Sequence, residues 1–106
     1  MPNIAPVLKD LNAEITLSST SKITNLAVAL ADTEVSLALT SNVKQLLIRA
    51  RDNTILKYSF VSGESGSTYI TIPKGCTRCL DGIDFSSTTL YIQGNKATTV
   101  EIEELY

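Results

Sequence analysis

Short segments of alternating apolar and polar side chains run from about residue 34 to residue 106, and turn-forming residues separate them. The apolar positions of four of these segments are Val35, Leu37 and Leu39; Leu56, Tyr58 and Phe60; Leu90 and Ile92; and Val100 and Ile102. A period of two places successive side chains on opposite faces of a strand, so each segment has one face to bury. The pattern predicts an all-β chain, a single antiparallel β-sandwich of jelly-roll-like form with about seven or eight short strands.

Composition limits the partners that such a chain suits. The 106 residues carry a net charge of −2, and the nine Lys and Arg are scattered along the sequence. A weakly acidic chain without a basic cluster does not favour nucleic-acid binding. No stretch approaches the roughly 20 apolar residues that span a bilayer, so we expect no membrane partner. The N-terminal residues lack the pattern of a signal peptide, which favours synthesis and folding in a cytoplasm.

The first third of the chain divides into an arm and the start of the sandwich. Pro2 and Pro6 favour extended backbone and remove amide donors, so residues 1–12 are interpreted as an extended N-terminal arm and residues 13–106 as the sandwich domain. Ile15 and Leu17 indicate a first strand. Residues 22–32 fit either a strand or a helical stripe, and a strand is favoured because everything downstream is β.

Turn residues predict how the later strands are joined. Asp52 and Asn53 both tolerate the left-handed conformation that hairpins demand, so they predict a tight hairpin turn. Residues 94–96 predict a hairpin loop containing Gly94. The sequence from Pro73 to Gly75 predicts a turn with the proline at its second position.

Cys76 and Cys79 form a Cys-Thr-Arg-Cys motif with several interpretations. A redox pair suits a helix N-terminus, whereas this motif lies in a strand-like stretch where positions three apart point to opposite faces. A zinc site needs about four ligands, and the chain has two cysteines and no histidine. Packing or incidental thiols are the favoured interpretation; an oxidised pair, a redox site and a metal shared between subunits stay open. We expect no metal and no cofactor.

Catalytic groups are sparse in this sequence. The absence of histidine removes the commonest general base and the usual partner of a Ser or Cys nucleophile. Two carboxylate pairs remain, Asp81 with Asp84 at a turn and Glu101 with Glu103 on a solvated strand face. Both placements have ordinary structural explanations, so we expect no enzyme and no catalytic residue.

Two surface patterns are candidates for binding. Tyr69 and Tyr91 are predicted to face outward from their strands, where they suit either cross-strand packing or a small glycan-binding platform. Arg49 and Arg51 share one strand face, and Glu101 and Glu103 lie together near the C-terminal end. These charges either pair across neighbouring strands or pair between subunits.

From about residue 41 to residue 105 the chain resembles a family of small virion structural proteins of tailed bacteriophages. The resemblance lies in the order and spacing of several pieces rather than in one motif. The pieces are Val43–Arg51, Tyr58–Phe60, Tyr69–Gly75, Leu80–Ile83, Leu90–Gln93 and Val100–Glu103. The first 40 residues are not covered, and the two cysteines replace small residues.

The resemblance implies a non-enzymatic β-sandwich of the virion, most plausibly a capsid decoration or cement protein, often trimeric. It implies the major capsid protein or other virion proteins as partners, and synthesis in a bacterial host. The alternatives are a tail, neck or fibre component, or a module that binds carbohydrate or a cell surface. Because an extended arm can add a strand to a neighbour's sheet edge, we expect the arm and the charged strand faces to contact other subunits. The contact candidates are Pro2, Asn3, Ile4, Pro6, Arg49, Arg51, Glu101 and Glu103.

Overall fold

The computed structural model describes residues 20–81 and 88–106, and the described part of the chain folds into two stacked sheets of four antiparallel strands. The predicted arm at residues 1–12 and the predicted strand around Ile15 lie outside the described residues. The strands are β1 (Ser21–Val28), β2 (Val35–Ala38), β3 (Gln45–Ala50), β4 (Leu56–Ser59), β5 (Ile70–Ile72), β6 (Thr77–Asp81), β7 (Thr89–Gly94) and β8 (Thr98–Leu105). Sheet A has the order β1-β8-β3-β6 and sheet B the order β2-β7-β4-β5.

This strand order is that of a jelly roll, so the predicted all-β sandwich is confirmed. The segment at residues 22–32, for which the sequence favours a strand over a helix, is a strand over most of its length. It belongs to β1, which pairs with β8 from Ser21 to Val28. The described residues contain no helix long and apolar enough to cross a membrane.

The core lies between the two sheets and is built from the alternating apolar positions. Leu46 and Ile48 of β3 are fully buried, while Arg49 of the same strand points to the other face and is exposed. The same alternation buries one face of β4, β7 and β8. The buried apolar side chains are Val28, Leu39, Val43, Leu46, Ile48, Leu56, Tyr58, Ile72, Leu90, Ile92, Val100 and Ile102. Burial of this set supplies the main driving force for folding.

Both predicted hairpins are wrong. β3 lies in sheet A and β4 in sheet B, and β7 and β8 are divided in the same way. The segments at 51–55 and 95–97 therefore carry the chain across the core from one sheet to the other. Among the described non-glycine residues, the left-handed conformation occurs at Asp32 (φ 54°) and Asn42 (φ 64°), not at Asp52 or Asn53. Turn propensity marked chain reversals but did not determine which sheet receives the next strand.

The two crossings are bonded to each other. The Asn95 amide N–H donates to the Ile55 carbonyl at 3.1 Å, and the Ile55 N–H donates to Asn95 Oδ1 at 3.1 Å. The Asp52 carboxylate accepts a hydrogen bond from the Thr54 hydroxyl and another from the Thr98 hydroxyl, the latter at 2.8 Å. These bonds lower the pKa of the Asp52 carboxyl, with Thr54 as the largest cause. The crossings thus fix the start of β4 against the start of β8.

The turn before β6 also differs from its prediction. The Cys76 N–H donates to the Pro73 carbonyl at 3.1 Å, so Pro73 is the first residue of the turn rather than the second. Gly75 has φ +76°, a conformation that residues with a Cβ rarely adopt.

Glu104 lies on the core face of β8, in the same alternation as Ile102. It is 0% exposed, its Oε2 accepts the Thr40 N–H at 2.8 Å, and its Oε1 has no partner in the described part of the chain. The three glutamates near the C-terminal end therefore divide between two faces, with Glu101 and Glu103 outside and Glu104 inside.

We expect Gly94→Ala to destabilise the sandwich, because a Cβ at position 94 would lie 3.0 Å from the Lys96 carbonyl oxygen and 3.1 Å from Thr54 Cγ2. Overpacking at such a site costs about 1–3 kcal/mol in the free energy of unfolding, which urea denaturation would measure. The control is Ser36→Ala, a change at an exposed position of β2. Its free energy of unfolding is expected to stay within about 0.5 kcal/mol of the wild-type value. Equal stability of the two variants would show that the end of β7 at residue 94 is not tightly packed.

Candidate functional site

The outward face of sheet A, called here the sheet A surface, brings together the charged residues that the sequence singled out. Cross-strand pairing places Ile23, Glu103, Leu47 and Cys79 side by side in one row, one from each strand. The next row holds Asn25, Glu101, Arg49 and Thr77. Antiparallel pairing of β3 with β8 thus sets residues that are about 50 positions apart in the sequence beside each other.

A three-residue ion cluster lies at the centre of this surface. Arg49 Nε contacts Glu101 Oε1 at 2.7 Å, and Arg51 Nε contacts Glu101 Oε2 at 3.3 Å. The hydrogen bond and charge of Arg49, with a smaller contribution from Arg51, hold the pKa of the Glu101 carboxyl below its usual value. Of the two interpretations of these charges, pairing across neighbouring strands occurs within the chain. Exposed pairs of this kind contribute little to stability but help to set strand register.

Glu103 and Ile23 complete the sheet A surface beside the ion cluster. Glu103 is half-buried and forms no ion pair with a described residue, whereas Ile23 is 67% exposed. A shallow cavity of about 350 Å³ is bordered by Ile23, Leu47 and Arg49, and a second, of about 500 Å³, lies over Arg51 and Cys76. Ile23 was not singled out from the sequence as a surface residue. Its position next to β8 on an edge strand is what exposes it.

The two cysteines are free thiols, and both are exposed. Cys79 Sγ accepts a hydrogen bond from Gln45 Nε2 at 3.4 Å on the sheet A surface, and Cys76 lies in the turn before β6. Neither thiol fills the core, so of the favoured interpretation, packing or incidental thiols, the packing part is wrong and the incidental part fits both residues. Within residues 20–81 and 88–106, no group of three or more His, Cys, Asp or Glu is placed to hold a metal ion.

The outward face of sheet B, called the sheet B surface, carries both candidate tyrosines. Tyr91 lies on β7 between Ser36 and Ser59 and is half-buried. Tyr69 directly precedes β5 and is 39% exposed, and the Lys57 ammonium lies 4.7 Å from the centre of its ring. This cation–π contact occupies one face of the Tyr69 ring. The glycan platform remains a prediction.

A carboxylate anchor on the sheet B side was not predicted from the sequence. Glu34 accepts the Gly63 N–H at 2.9 Å, the Ser65 N–H at 3.1 Å and the Ser65 hydroxyl at 2.5 Å. The same hydroxyl contacts Gln93 Oε1 at 3.1 Å, and Ser65 is fully buried. The loop at 63–67 is therefore anchored at Gly63 and Ser65. The contact of Glu34 with this loop joins residues about 30 positions apart, so no local sequence pattern predicts it.

Of the predicted subunit contacts, Arg49, Arg51, Glu101 and Glu103 come together on the sheet A surface. The arm candidates Pro2, Asn3, Ile4 and Pro6 lie outside the described residues.

Comparison with known proteins defines the fold and no closer relationship. No protein-family model matches the chain, and no curated protein matches it. A solved cupin_2 domain of an XRE-family transcriptional regulator from Enterobacter cloacae is similar at 9% identity and a TM-score of 0.50, covering 81% of this chain and 96% of that one. Likeness at this identity shows a shared β-sandwich fold alone.

Two further solved structures align with lower scores. Protein NMB1881 from Neisseria meningitidis has 10% identity and a TM-score of 0.48, covering 83% of this chain and 76% of that one. The Yersinia pseudotuberculosis-derived mitogen has 10% identity and a TM-score of 0.48, covering 81% of this chain and 85% of that one.

The Glu34 anchor predicts a pH-dependent stability. Hydrogen bonds from Ser65 and Gly63 lower the pKa of Glu34 below its ordinary value of 4.5, so the folded chain binds this proton less readily than the unfolded chain. The stabilisation is fully present above about pH 4.5 and is lost as the pH falls through the folded-state pKa. In urea denaturation from pH 7 to pH 3, the free energy of unfolding of wild type should exceed that of Glu34→Gln most at pH 7. This difference in unfolding free energy should shrink below pH 4.5.

The control for this experiment is Glu64→Gln, in the same loop, whose carboxylate makes no hydrogen bond with a described residue. A difference between wild type and Glu34→Gln that is constant over the whole pH range would contradict the anchor's role.

Proposed function

We propose that this chain is a non-enzymatic structural protein of a tailed-bacteriophage virion, namely a decoration or cement protein that binds the assembled head. The proposal is supported chiefly by the ordered sequence pieces between residues 41 and 105, whose described residues lie in or next to β3 to β8 and contribute most of the core. Eight-stranded jelly rolls occur in viral capsid domains, in lectins and in cupins. The fold is therefore compatible with a virion role but does not distinguish it from the other roles.

The physical properties of the module suit repeated attachment to a shell. A small sandwich with a continuous core presents rigid surfaces, and a virion head offers many equivalent positions for it. Many modest contacts then act together, so that avidity compensates for a small contact area. The partners in this proposal are the major capsid protein and further copies of the chain. Synthesis takes place in the bacterial host, and the protein is then carried on the virion.

The non-enzymatic part of the proposal draws support from the surface carboxylates that the structure describes. Glu34, Asp52 and Glu101 each accept two or more hydrogen bonds that hold a loop, a crossing or a strand pair. A carboxylate engaged in this way has a lowered pKa and is a weak general base near neutral pH. These groups therefore have structural roles that account for their positions.

The test of the head-binding role uses the shell to which the chain would attach. The chain is co-expressed with the major capsid protein encoded in the same genome, assembled shells are isolated by sedimentation, and its copy number per shell is measured. We expect a copy number that is a fixed multiple of the shell's symmetry and that saturates as expression rises. Absence from these shells together with recovery in tails isolated from whole virions would favour a tail, neck or fibre position, and absence from both would reject the virion role.

The same assay tests the arm. Deleting residues 2–12 removes Pro2, Asn3, Ile4 and Pro6, and we expect head occupancy to fall several-fold because strand addition by an arm contributes main-chain hydrogen bonds to attachment. Circular dichroism and thermal unfolding of the deletion variant show whether the sandwich is intact. Full occupancy by a folded variant would exclude the arm as a contact.

A further inference from the structure

We propose that the sheet A surface is self-complementary and binds the same surface of a second copy of this chain, related by a two-fold axis. The inference goes beyond the virion role and does not require it, since it follows from the arrangement of charges on neighbouring strands. A two-fold pairing differs from the trimer that the sequence resemblance implies.

Opposite charges occupy the two central strands of this surface. Arg49 lies on β3 and Arg51 directly follows that strand, while the neighbouring β8 presents Glu101 and Glu103. The strands lie about 4.8 Å apart, so a positive stripe runs beside a negative stripe. One carboxylate, Glu101, is shared by two guanidinium groups, and Glu103 has no ion pair with a described residue. Within one copy, the stripes are therefore only partly matched.

The guanidinium groups have donors left over for a partner. Both contacts to Glu101 run through Nε, and the Arg49 and Arg51 side chains are 60% and 53% exposed. The terminal nitrogens of each guanidinium supply four further N–H donors in a planar fork that suits carboxylates. A second negative stripe laid over β3 would use these donors.

One symmetry operation places a second negative stripe there. A two-fold axis parallel to the strands, midway between β3 and β8, stacks β8 of each copy over β3 of the other. It keeps each cross-strand row in register, so Glu101 of one copy faces Arg49 of the second and the reverse contact forms at the same time. The two sheets then pack with their strands aligned, the common geometry of stacked β-sheets.

The apolar side chains on this surface fit the same arrangement. In the row of Glu103, the axis places the exposed Ile23 of one copy over Cys79 of the second. Glu103 lies over Leu47, one row from the Arg49 guanidinium of the second copy, which is its nearest cation across the interface. The partly open cavity next to Ile23 and Leu47 is covered by this contact. Four strands and four rows bury on the order of 400 Å² on each copy, which is below the standard interface. We therefore expect a weak, transient dimer that forms at high protein concentration and dissociates as salt rises.

The first test exploits the symmetry. The variant Arg49→Glu/Arg51→Glu/Glu101→Arg inverts the ion cluster but keeps opposite charges paired inside each chain. It should fold, as circular dichroism would show, and form its own dimer. In a mixture with wild type, however, like charges would face each other across the interface. Because such juxtapositions cost several kcal/mol, native mass spectrometry should show mixed dimers at least about tenfold below their statistical share.

The second test fixes the register. Facing sheets lie about 10 Å apart, which is too far for a disulfide but within reach of a short bismaleimide. In a Cys76→Ser background, Ile23→Cys should cross-link to Cys79 of the second copy and give a covalent dimer. The control is Lys57→Cys in the same background, on the opposite outward face of the molecule, which should remain monomeric on denaturing gels.

The outcomes of these tests separate the pairing from the virion role. Dimers by sedimentation velocity at tens of micromolar, with segregation of the charge-inverted variant and cross-linking from position 23, support the proposal. A chain that stays monomeric, forms trimers, or mixes freely with the inverted variant would overturn it. None of these measurements involves heads, so failure to bind a shell leaves them unaffected.

Discussion

The structure depends on burying one face of every strand against the opposite sheet. Neither four-stranded sheet can shield its own apolar face from water, so the two sheets are stable only when stacked. The crossings at residues 51–55 and 95–97 hold this stacking in place, because they join consecutive strands across the core and are hydrogen-bonded to each other. Asp52 adds a bond from the first crossing to the beginning of β8. Packing and connectivity therefore reinforce the same arrangement.

Burying the inner faces leaves two outer faces with different properties. On sheet A, pairing of β3 with β8 sets a basic stripe beside an acidic one, with an exposed isoleucine at the edge. On sheet B, a loop anchored by Glu34 covers Gln93, and a lysine lies over the ring of Tyr69. Glu34, Gln93 and Lys57 on the sheet B side are thus engaged within the chain, whereas the sheet A surface has donors and an apolar side chain available for a partner.

The candidate surfaces could be predicted only in part from the sequence. Alternation identified Arg49 and Glu101 as outward-facing, because side-chain direction in a strand follows from position alone. Whether they pair with each other depended on which strands are neighbours. The Glu34 anchor was missed for the same reason, since its partners, Gly63 and Ser65, approach it only after β2 and the 63–67 loop reach the same sheet. Glu104 is not on the outward face with Glu101 and Glu103, because it lies on the buried face of β8.

Local pattern determined the class of the fold. The positions of the strands and the identity of the core residues follow from a period of two, which acts between adjacent residues and needs no knowledge of distant partners. Strand order followed from tertiary structure alone. Asp52 and Asn53 mark a reversal whether the next strand pairs beside the last or crosses to the opposite sheet, and only the packing of both apolar faces into one core selects the crossing. Residue alternation is a local property, whereas sheet assignment is decided by contacts between segments far apart in the chain.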